Sequence, residues 1–223
     1  MARATASATK PSSGSSLKNE PYRTGLAESI DQRAQALEAI DQQVRVCTLC
    51  KELACTRTKT VFGVGNVMPR VAFFGEAPGA DEDRTGEPFV GRAGQLLTKI
   101  IEACTFKREQ VYILNVLKCR PPENRTPLPD EMAHCRGYFE RQFEILRPEY
   151  IVCAGSVAAQ ALLETTESIG KLRGRFHTYR GSKVVATYHP SYLLRNPPAK
   201  KFVWDDMQML LADMGITLPG KQA

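Results

Sequence analysis

Short apolar runs alternate along the chain with stretches whose apolar residues recur at helical spacing. Four of the runs predict buried strands, at residues 71–74, 111–117, 150–154 and 183–187. The helical spacing predicts helices at residues 26–46, 95–104, 130–146, 156–163 and 200–214. Because strands that alternate with helices form mostly parallel sheets with both faces covered, the pattern predicts an α/β fold.

The N-terminal residues, 1–24, lack this periodicity. They are rich in Ala, Ser, Thr and Lys and contain no acidic residue before Glu20. This composition predicts a disordered tail, and it holds too few arginines to favour a transit peptide. The length of the remainder, residues 25–223, suits a single domain with an ordinary hydrophobic core.

Net charge and cysteine content narrow the function classes. The formal net charge of +6 is compatible with a polyanionic partner, and no apolar run approaches the length of a membrane span, so we expect no membrane partner. Seven cysteines without a secretory apolar segment argue against a disulfide scaffold. We therefore expect a cytoplasmic protein whose thiols either bind metal or are buried as small apolar side chains.

A Cys-x-x-Cys pair follows the first predicted helix, and a closed metal site needs two more ligands. The four candidate ligands are Cys47, Cys50, Cys119 and Cys135. Four thiolates hold either zinc or an iron-sulfur cluster, and the spacing does not choose between them. Cys104 and Cys153 lie in apolar helix and strand patterns that predict buried thiols, whereas Cys55 is close to the first pair and could compete as a ligand.

Polar side chains occur where three predicted strands end, at Glu76, Asn115 and His189. Each has an ordinary explanation: a solvated acidic turn, an amide that satisfies local backbone, and a histidine that caps a helix. Because parallel strands end at the same edge of a sheet, we expect a cleft that holds a carboxylate, an amide and an imidazole. The loop after Gly75 adds further carboxylates at Asp81, Glu82 and Asp83.

Four motifs of this chain resemble those of family 4 uracil-DNA glycosylases, the iron-sulfur branch of that superfamily. They are Gly75-Glu-Ala-Pro-Gly79, Phe89-Val-Gly-Arg-Ala-Gly94, Asn115-Val-Leu-Lys-Cys119-Arg-Pro-Pro and His189-Pro-Ser-Tyr-Leu-Leu-Arg195. The resemblance covers residues 47–214 and implies a three-layer α/β/α sandwich around a central four-stranded, mostly parallel sheet. It also implies a [4Fe-4S] cluster on the four candidate cysteines, and hydrolysis of the bond between uracil and deoxyribose in DNA.

The resemblance further implies roles for individual residues. His189 would donate a hydrogen bond to the departing uracil anion, and Glu76 or Glu82 would hold the attacking water. Phe89 would stack on the flipped base, and Asn115 would pair with its polar edge. The implied base-binding residues are Gly75, Ala77, Phe89, Asn115 and Asn124.

The segment after His189 matches the loop with which the superfamily enters DNA. An apolar side chain there would fill the gap left by the flipped base, and an arginine would meet phosphate. The implied DNA contacts of this segment are Ser191, Leu193, Leu194 and Arg195. Lys171, Arg173 and Arg175 form a second group of expected phosphate contacts. The expected partner is uracil-containing DNA, bound by a monomer of bacterial or archaeal type.

Other function classes fit parts of the sequence. A non-catalytic nucleic-acid-binding module with a four-cysteine zinc site accounts for the cysteines but does not require the glutamate, asparagine and histidine set. A metal-dependent phosphoesterase built on Glu76, Asp81 and Asp83 needs further ligands, and the chain has three histidines. A superfamily relative that traps its product covalently uses a histidine in a basic loop, but residues 121–129 contain no histidine, which favours turnover.

Overall fold

The computed structural model describes residues 20–22 and 29–217. Most of the predicted N-terminal tail lies outside these ranges, as do the first residues of the first predicted helix, so these two expectations stay predictions. Within the described ranges, no helix is both long enough and apolar enough to cross a membrane.

Helices and strands alternate through the described part of the chain, as predicted. The helices are α1 (Ile30–Arg45), α2 (Lys51–Thr56), α3 (Ala80–Thr85), α4 (Arg92–Ala103), α5 (Pro129–Leu146), α6 (Ser156–Leu163), α7 (Ile169–Leu172), α8 (Pro190–Arg195) and α9 (Lys200–Asp213). The strands are β1 (Val64–Gly65), β2 (Val71–Gly75), β3 (Tyr112–Asn115), β4 (Tyr150–Ala154), β5 (Phe176–Tyr179) and β6 (Ser182–Thr187). Short 3-10 helices lie at Arg108–Gln110, Pro122–Asn124 and Pro197–Ala199.

The strands form one sheet in the order β1-β3-β2-β4-β6-β5. The inner four strands are mutually parallel and are the four that the sequence predicts. The sequence pattern does not predict β1 and β5, which pair antiparallel at the two edges and extend the sheet to six strands. Neither edge strand is a buried apolar run: β1 is two exposed residues, and most of β5 is at least partly exposed.

Helices cover both faces of this sheet and complete the predicted three-layer sandwich. On one face Phe74 and Leu114 pack with residues of α1, α5 and α6. The rings of Phe139 and Phe143 lie 5.1 and 5.3 Å from the ring of Phe74, centroid to centroid. Phe73 points the other way, as the next residue of a strand must, and packs with α4, α8 and α9.

The chain turns in opposite directions on the two sides of β2. It first forms β3 next to one edge of β2 and later forms β4 next to the other edge, so the strand order reverses at β2. The helices after β2 and β3, which are α4 and α5, lie on opposite faces of the sheet. A crevice therefore opens at the carboxyl ends of these strands, where Gly75 pairs in register with Asn115.

We expect Phe143→Ala to lower the free energy of unfolding by about 3–5 kcal/mol, because the fully buried ring contacts three other aromatic rings and its loss leaves a cavity. Phe202→Ala removes a ring that is 45% exposed and should cost about 1 kcal/mol or less. Urea denaturation of the two variants and the parent protein measures both effects. Equal losses in the two variants would contradict the assignment of Phe143 to the core.

Candidate active site

A cavity of about 510 Å³ opens at the carboxyl ends of β2, β3 and β6. Its wall includes the three polar residues at the strand ends, which the parallel sheet brings together as expected. The predicted site residues in the wall are Glu76, Ala77, Glu82, Phe89, Asn115, Asn124, His189, Ser191 and Arg195. The predicted residues outside the wall are Gly75, Leu193, Leu194, Arg173 and the four candidate cysteines.

Asn115 brings an unpaired hydrogen-bond acceptor to this cavity. The residue is 1% exposed, and its Oδ1 has no hydrogen-bond partner among the described residues. A buried amide oxygen without a partner costs about 1–3 kcal/mol, so most such atoms in native folds are paired. A bound molecule with an N–H group would supply the missing donor.

Gly75 leaves the space in which such a molecule would lie. A Cβ atom on Gly75 would be 2.4 Å from Oδ1 of Asn115 and 2.5 Å from Cζ of Phe89. Any side chain at this position would therefore occupy the gap between the amide and the aromatic ring. The absence of a side chain at Gly75 thus leaves room for the predicted base, although Gly75 itself does not line the cavity.

Phe89 has a left-handed backbone conformation, with φ of 53°. This conformation is unfavourable for a large side chain and persists where the surrounding structure holds it. The Oε1 atom of Glu82 accepts hydrogen bonds from the N–H groups of Val90, at 2.9 Å, and Gly91, at 3.0 Å. The ring of Phe89 lies 5.6 Å from the imidazole of His189, centroid to centroid.

The two candidate carboxylates differ in their hydrogen bonding. Glu82 accepts a third backbone hydrogen bond, from the N–H of Gly79 at 3.1 Å, so both of its oxygens are engaged by the protein. The carboxylate of Glu76 accepts no hydrogen bond from another residue of the described ranges, and burial raises its pKa above the ordinary value. Glu76 is therefore the carboxylate that is available to a water molecule.

His189 is neutral and has a defined tautomer. Its Nδ1 accepts a hydrogen bond from the Ser191 N–H at 3.1 Å and lies 2.7 Å from Ser191 Oγ. A backbone N–H can only donate, so Nδ1 carries no proton and the neutral ring bears its proton on Nε2. Burial and then the charge of Arg195 lower the pKa of His189 to about 4. The ring is therefore a neutral N–H donor at pH 7.

The helix α8 decides which residues after His189 are accessible. Leu193, an expected DNA contact, faces inward and is 1% exposed in the core. Leu194 and Tyr192 are exposed instead, at 39% and 38%. Arg195 remains in the wall of the cavity.

Arg173, an expected phosphate contact, is engaged within the fold. Its Nε and Nη2 donate to the carboxylate of Asp206 at 3.1 and 2.9 Å. The side chain of Asp206 is fully buried and also accepts from Thr187 Oγ1 at 2.6 Å. Arg173 therefore neutralises a buried carboxylate, whereas Lys171 and Arg175 are exposed.

The acidic residues that the sequence places in a loop after β2 lie in helix α3, and they do not converge on one point. Asp83 is buried and accepts from the N–H groups of Thr58 and Lys59, at 2.9 and 3.4 Å. Asp81 pairs instead with Arg84 at 3.4 Å. In residues 20–22 and 29–217, no group of three or more His, Cys, Asp or Glu side chains is placed to hold a metal ion. By this criterion neither the three acidic residues nor the four candidate cysteines form a preassembled metal site.

The candidate cysteine ligands come from three segments. Two lie between α1 and α2, one follows β3 and one lies in α5; they are Cys47, Cys50, Cys119 and Cys135. All are free thiols, and each is within electrostatic range of at least one other. Cys104 and Cys153 are buried, as predicted, and Cys55 is exposed.

Nitrogen atoms surround these sulfur atoms. Arg57 Nη1 donates to Cys119 Sγ at 3.1 Å, and His134 Nδ1 lies 3.4 Å from Cys50 Sγ. Burial raises the pKa of Cys50 to about 11 and that of Cys135 to about 12. A cation bound between the sulfurs would oppose this effect, because thiolate ligands are stabilised by positive charge.

Sequence reasoning missed the residues that support the loop after β3. Asn124 has φ of 57°, and its Oδ1 accepts from Arg120 Nε at 2.8 Å. Arg125 binds Glu131 at 2.6 Å and Glu52 of α2 at 2.7 Å. The Glu52 partner is distant in sequence, and no motif spacing signals such a pairing.

A family model and several curated relatives match this chain. The model of the uracil DNA glycosylase superfamily matches residues 62–208. A protein of Thermotoga maritima named type-4 uracil-DNA glycosylase is 47% identical over 166 residues, which are 74% of this chain and 86% of the relative. Proteins of the same name from Archaeoglobus fulgidus and Saccharolobus solfataricus are 42% and 43% identical over 185 and 194 residues. These matches cover 78% and 82% of this chain and 92% and 89% of the relatives.

We expect Asn115→Leu to leave the free energy of unfolding unchanged or to raise it by about 1 kcal/mol, because it removes a buried acceptor without a partner. The matched control is Thr187→Val, which deletes a buried hydroxyl that donates to Asp206 and should cost about 1–3 kcal/mol. Urea denaturation without DNA measures both. A loss from Asn115→Leu as large as that of the control would assign the amide a structural role.

Proposed function

The chain belongs to the uracil-DNA glycosylase superfamily and, within it, to the type-4 proteins, and we propose that it removes uracil from DNA in DNA repair. The reaction is hydrolysis of the N-glycosidic bond: water replaces the base on the sugar, which leaves free uracil and an abasic site. The observation that carries the proposal is the unpaired Oδ1 of Asn115, beside the space that Gly75 leaves open. Residues 121–129 offer no histidine to trap the product, so we propose turnover without a covalent intermediate.

Asn115 accounts for the choice of base. Uracil has an N–H donor beside a carbonyl acceptor, which matches the Oδ1 acceptor and Nδ2 donors of one amide. Cytosine presents the opposite pattern on that edge, so it would meet the same amide with unpaired groups. The base must leave the helical stack to reach this cavity, and Phe89 provides the ring against which the flipped base would lie. A module that only bound DNA would not require this buried amide.

His189 acts on the departing base. Bond cleavage places negative charge on uracil, and the Nε2–H of the neutral imidazole can donate a hydrogen bond to the oxygen that receives it. Ser191 fixes the tautomer and the ring before substrate binds, so no reorganisation is needed as the charge develops.

Glu76 acts on the sugar side of the bond. Positive charge develops on the deoxyribose as in other glycoside cleavage, and an ionised carboxylate both offsets this charge and orients the attacking water. Glu82, which was the other candidate, instead holds the backbone on the C-terminal side of Phe89. We therefore assign the water to Glu76 and the shape of the pocket to Glu82.

The proposed DNA contacts are side chains after His189 that are exposed or line the cavity. Leu194 can fill the gap left by the flipped base, and Arg195, at the cavity, can meet phosphate. We propose that the protein acts as a monomer. Free thiols and a nucleic-acid substrate support a cytoplasmic site of action.

The proposal includes a [4Fe-4S] cluster held by Cys47, Cys50, Cys119 and Cys135. The donor set supports it, because N–H groups beside the sulfurs offset the negative charge of thiolate ligands. A bound cluster would cross-link the segments that carry these cysteines. Hydrolysis requires no electron transfer, so the proposed role of the cluster is structural. Lys118 connects this region to the base pocket: its Nζ donates to the backbone carbonyls of Asn115 and Phe62 at 2.9 and 3.2 Å. Iron and sulfide analysis of the purified protein tests this assignment.

Incubation with an oligonucleotide that carries one uracil, in EDTA and followed by hot alkali, tests the activity. We expect strand cleavage at uracil and none at cytosine in a matched oligonucleotide. His189→Ala should lower kcat about 10²–10³-fold, because it removes the donor to the leaving group. His177→Ala is the control, since that ring bonds to the Leu172 carbonyl and lies outside the cavity wall. Uracil left in place by the folded parent protein would refute the proposal.

We expect kcat/KM to fall as the pH drops through the pKa of Glu76, because the proposed role needs the ionised carboxylate. Burial raises this pKa, so the acid limb should begin above the ordinary glutamate value of about 4.3. The pKa of His189 is lowered to about 4, so protonation of its ring should cause a second fall in kcat/KM near that pH. Glu76→Gln should be slower and should lose the part of the acid limb that lies above it. A limb that persists in Glu76→Gln would belong to another group.

A further inference from the structure

Phe89 can provide a stacking surface only while its backbone keeps an unfavourable conformation. A phenylalanine with φ of 53° relaxes to a negative φ unless its neighbours prevent it, and the relaxation would move the ring. The N–H groups that follow it are held by Glu82. The peptide that precedes Phe89 needs a second restraint, because that peptide unit also turns when φ changes.

Arg108 supplies this second restraint. Its Nη2 donates to the carbonyl oxygen of Pro88, the residue before Phe89, at 2.6 Å. Its Nη1 donates to Thr98 Oγ1 at 3.2 Å, and that hydroxyl in turn donates to the carbonyl of Gly94 at 3.1 Å. One half-buried guanidinium therefore ties the peptide before Phe89 to helix α4.

The helix that Arg108 uses as an anchor already touches the backbone of Phe89. A Cβ on Gly94 would lie 1.9 Å from both the carbonyl carbon and the carbonyl oxygen of Phe89. The first turn of α4 thus blocks one direction of movement, and the charged hydrogen bonds of Arg108 and Glu82 restrain the peptides on either side of the ring.

We propose that Arg108 is a positioning residue for uracil excision, which fixes the peptide before Phe89 and so keeps the ring against the flipped base. The inference rests on the proposed function of the cavity. The guanidinium is suited to this task because its planar fork reaches two acceptors at once. A lysine at this position would carry the charge but would bond Pro88 and Thr98 less well.

The test compares Arg108→Met and Arg108→Lys with the control Arg70→Met. Arg70 is exposed, precedes β2, pairs with Glu149 and does not line the cavity. We measure kcat and KM on uracil-containing DNA and the inhibition constant of free uracil, which reports binding in the pocket without DNA. Arg108→Met should weaken uracil binding and lower kcat/KM by about tenfold or more, since a charged hydrogen bond is lost. Arg108→Lys should lie in between, and Arg70→Met should match the parent protein.

A double-mutant cycle with Phe89→Ala separates positioning from a general effect on folding. If Arg108 acts through the ring, Arg108→Met should change the uracil inhibition constant by less than about twofold in the Phe89→Ala background. An equal effect in both backgrounds, or parent-like uracil binding in Arg108→Met, would overturn the inference. Failure of the parent protein to excise uracil would refute the proposed function instead. If Arg108→Met does not fold, Arg108→Lys carries the same cycle.

Discussion

The interaction that the cavity depends on is one that the protein leaves unmade. The Oδ1 atom of Asn115 is buried at the end of a central strand with no partner among the described residues, and no side chain at Gly75 fills the adjacent space. Gly75 contributes no side chain, and Phe89 is held in a conformation that it would not adopt by itself. The unpaired acceptor and the backbone strain make the free protein less stable than it could be, and in the proposed function a base with an N–H donor would pair with the acceptor.

Such a site requires rigid surroundings, and the fold supplies them from both sides of β2. Helix α4 packs against the backbone of Phe89. The segment after β3 carries Cys119 of the proposed cluster site and the buried Lys118. Lys118 donates a hydrogen bond to the backbone carbonyl of Asn115. Asp83 of α3 accepts a hydrogen bond from the backbone N–H of Thr58, which follows α2. The cysteine region and the base pocket are therefore parts of one hydrogen-bonded unit, and displacement of one would be transmitted to the other.

The sequence was sufficient for the features that depend on local patterns. Buried apolar runs predicted the four parallel strands, and polar residues at their ends predicted the meeting of Glu76, Asn115 and His189. The remaining features depend on contacts between residues that are distant in sequence. Nothing local shows that Arg173 lies against the buried Asp206, that α8 turns Leu193 inward, or that Arg108 reaches the carbonyl before Phe89. The edge strands also escaped prediction, because pairing at a sheet edge needs no continuous apolar run.

The two titrating groups of the cavity follow the same principle as the unpaired amide. Burial disfavours the charged forms of both Glu76 and His189, which raises the pKa of one and lowers that of the other. In the free protein this desolvation is a cost. In the proposed mechanism the sugar becomes positive and the base negative during cleavage, so an ionised Glu76 would gain an opposite charge and the neutral His189 would gain an anion to which it can donate. Both interactions would be stronger in the transition state than in the resting enzyme, which is the condition for catalysis.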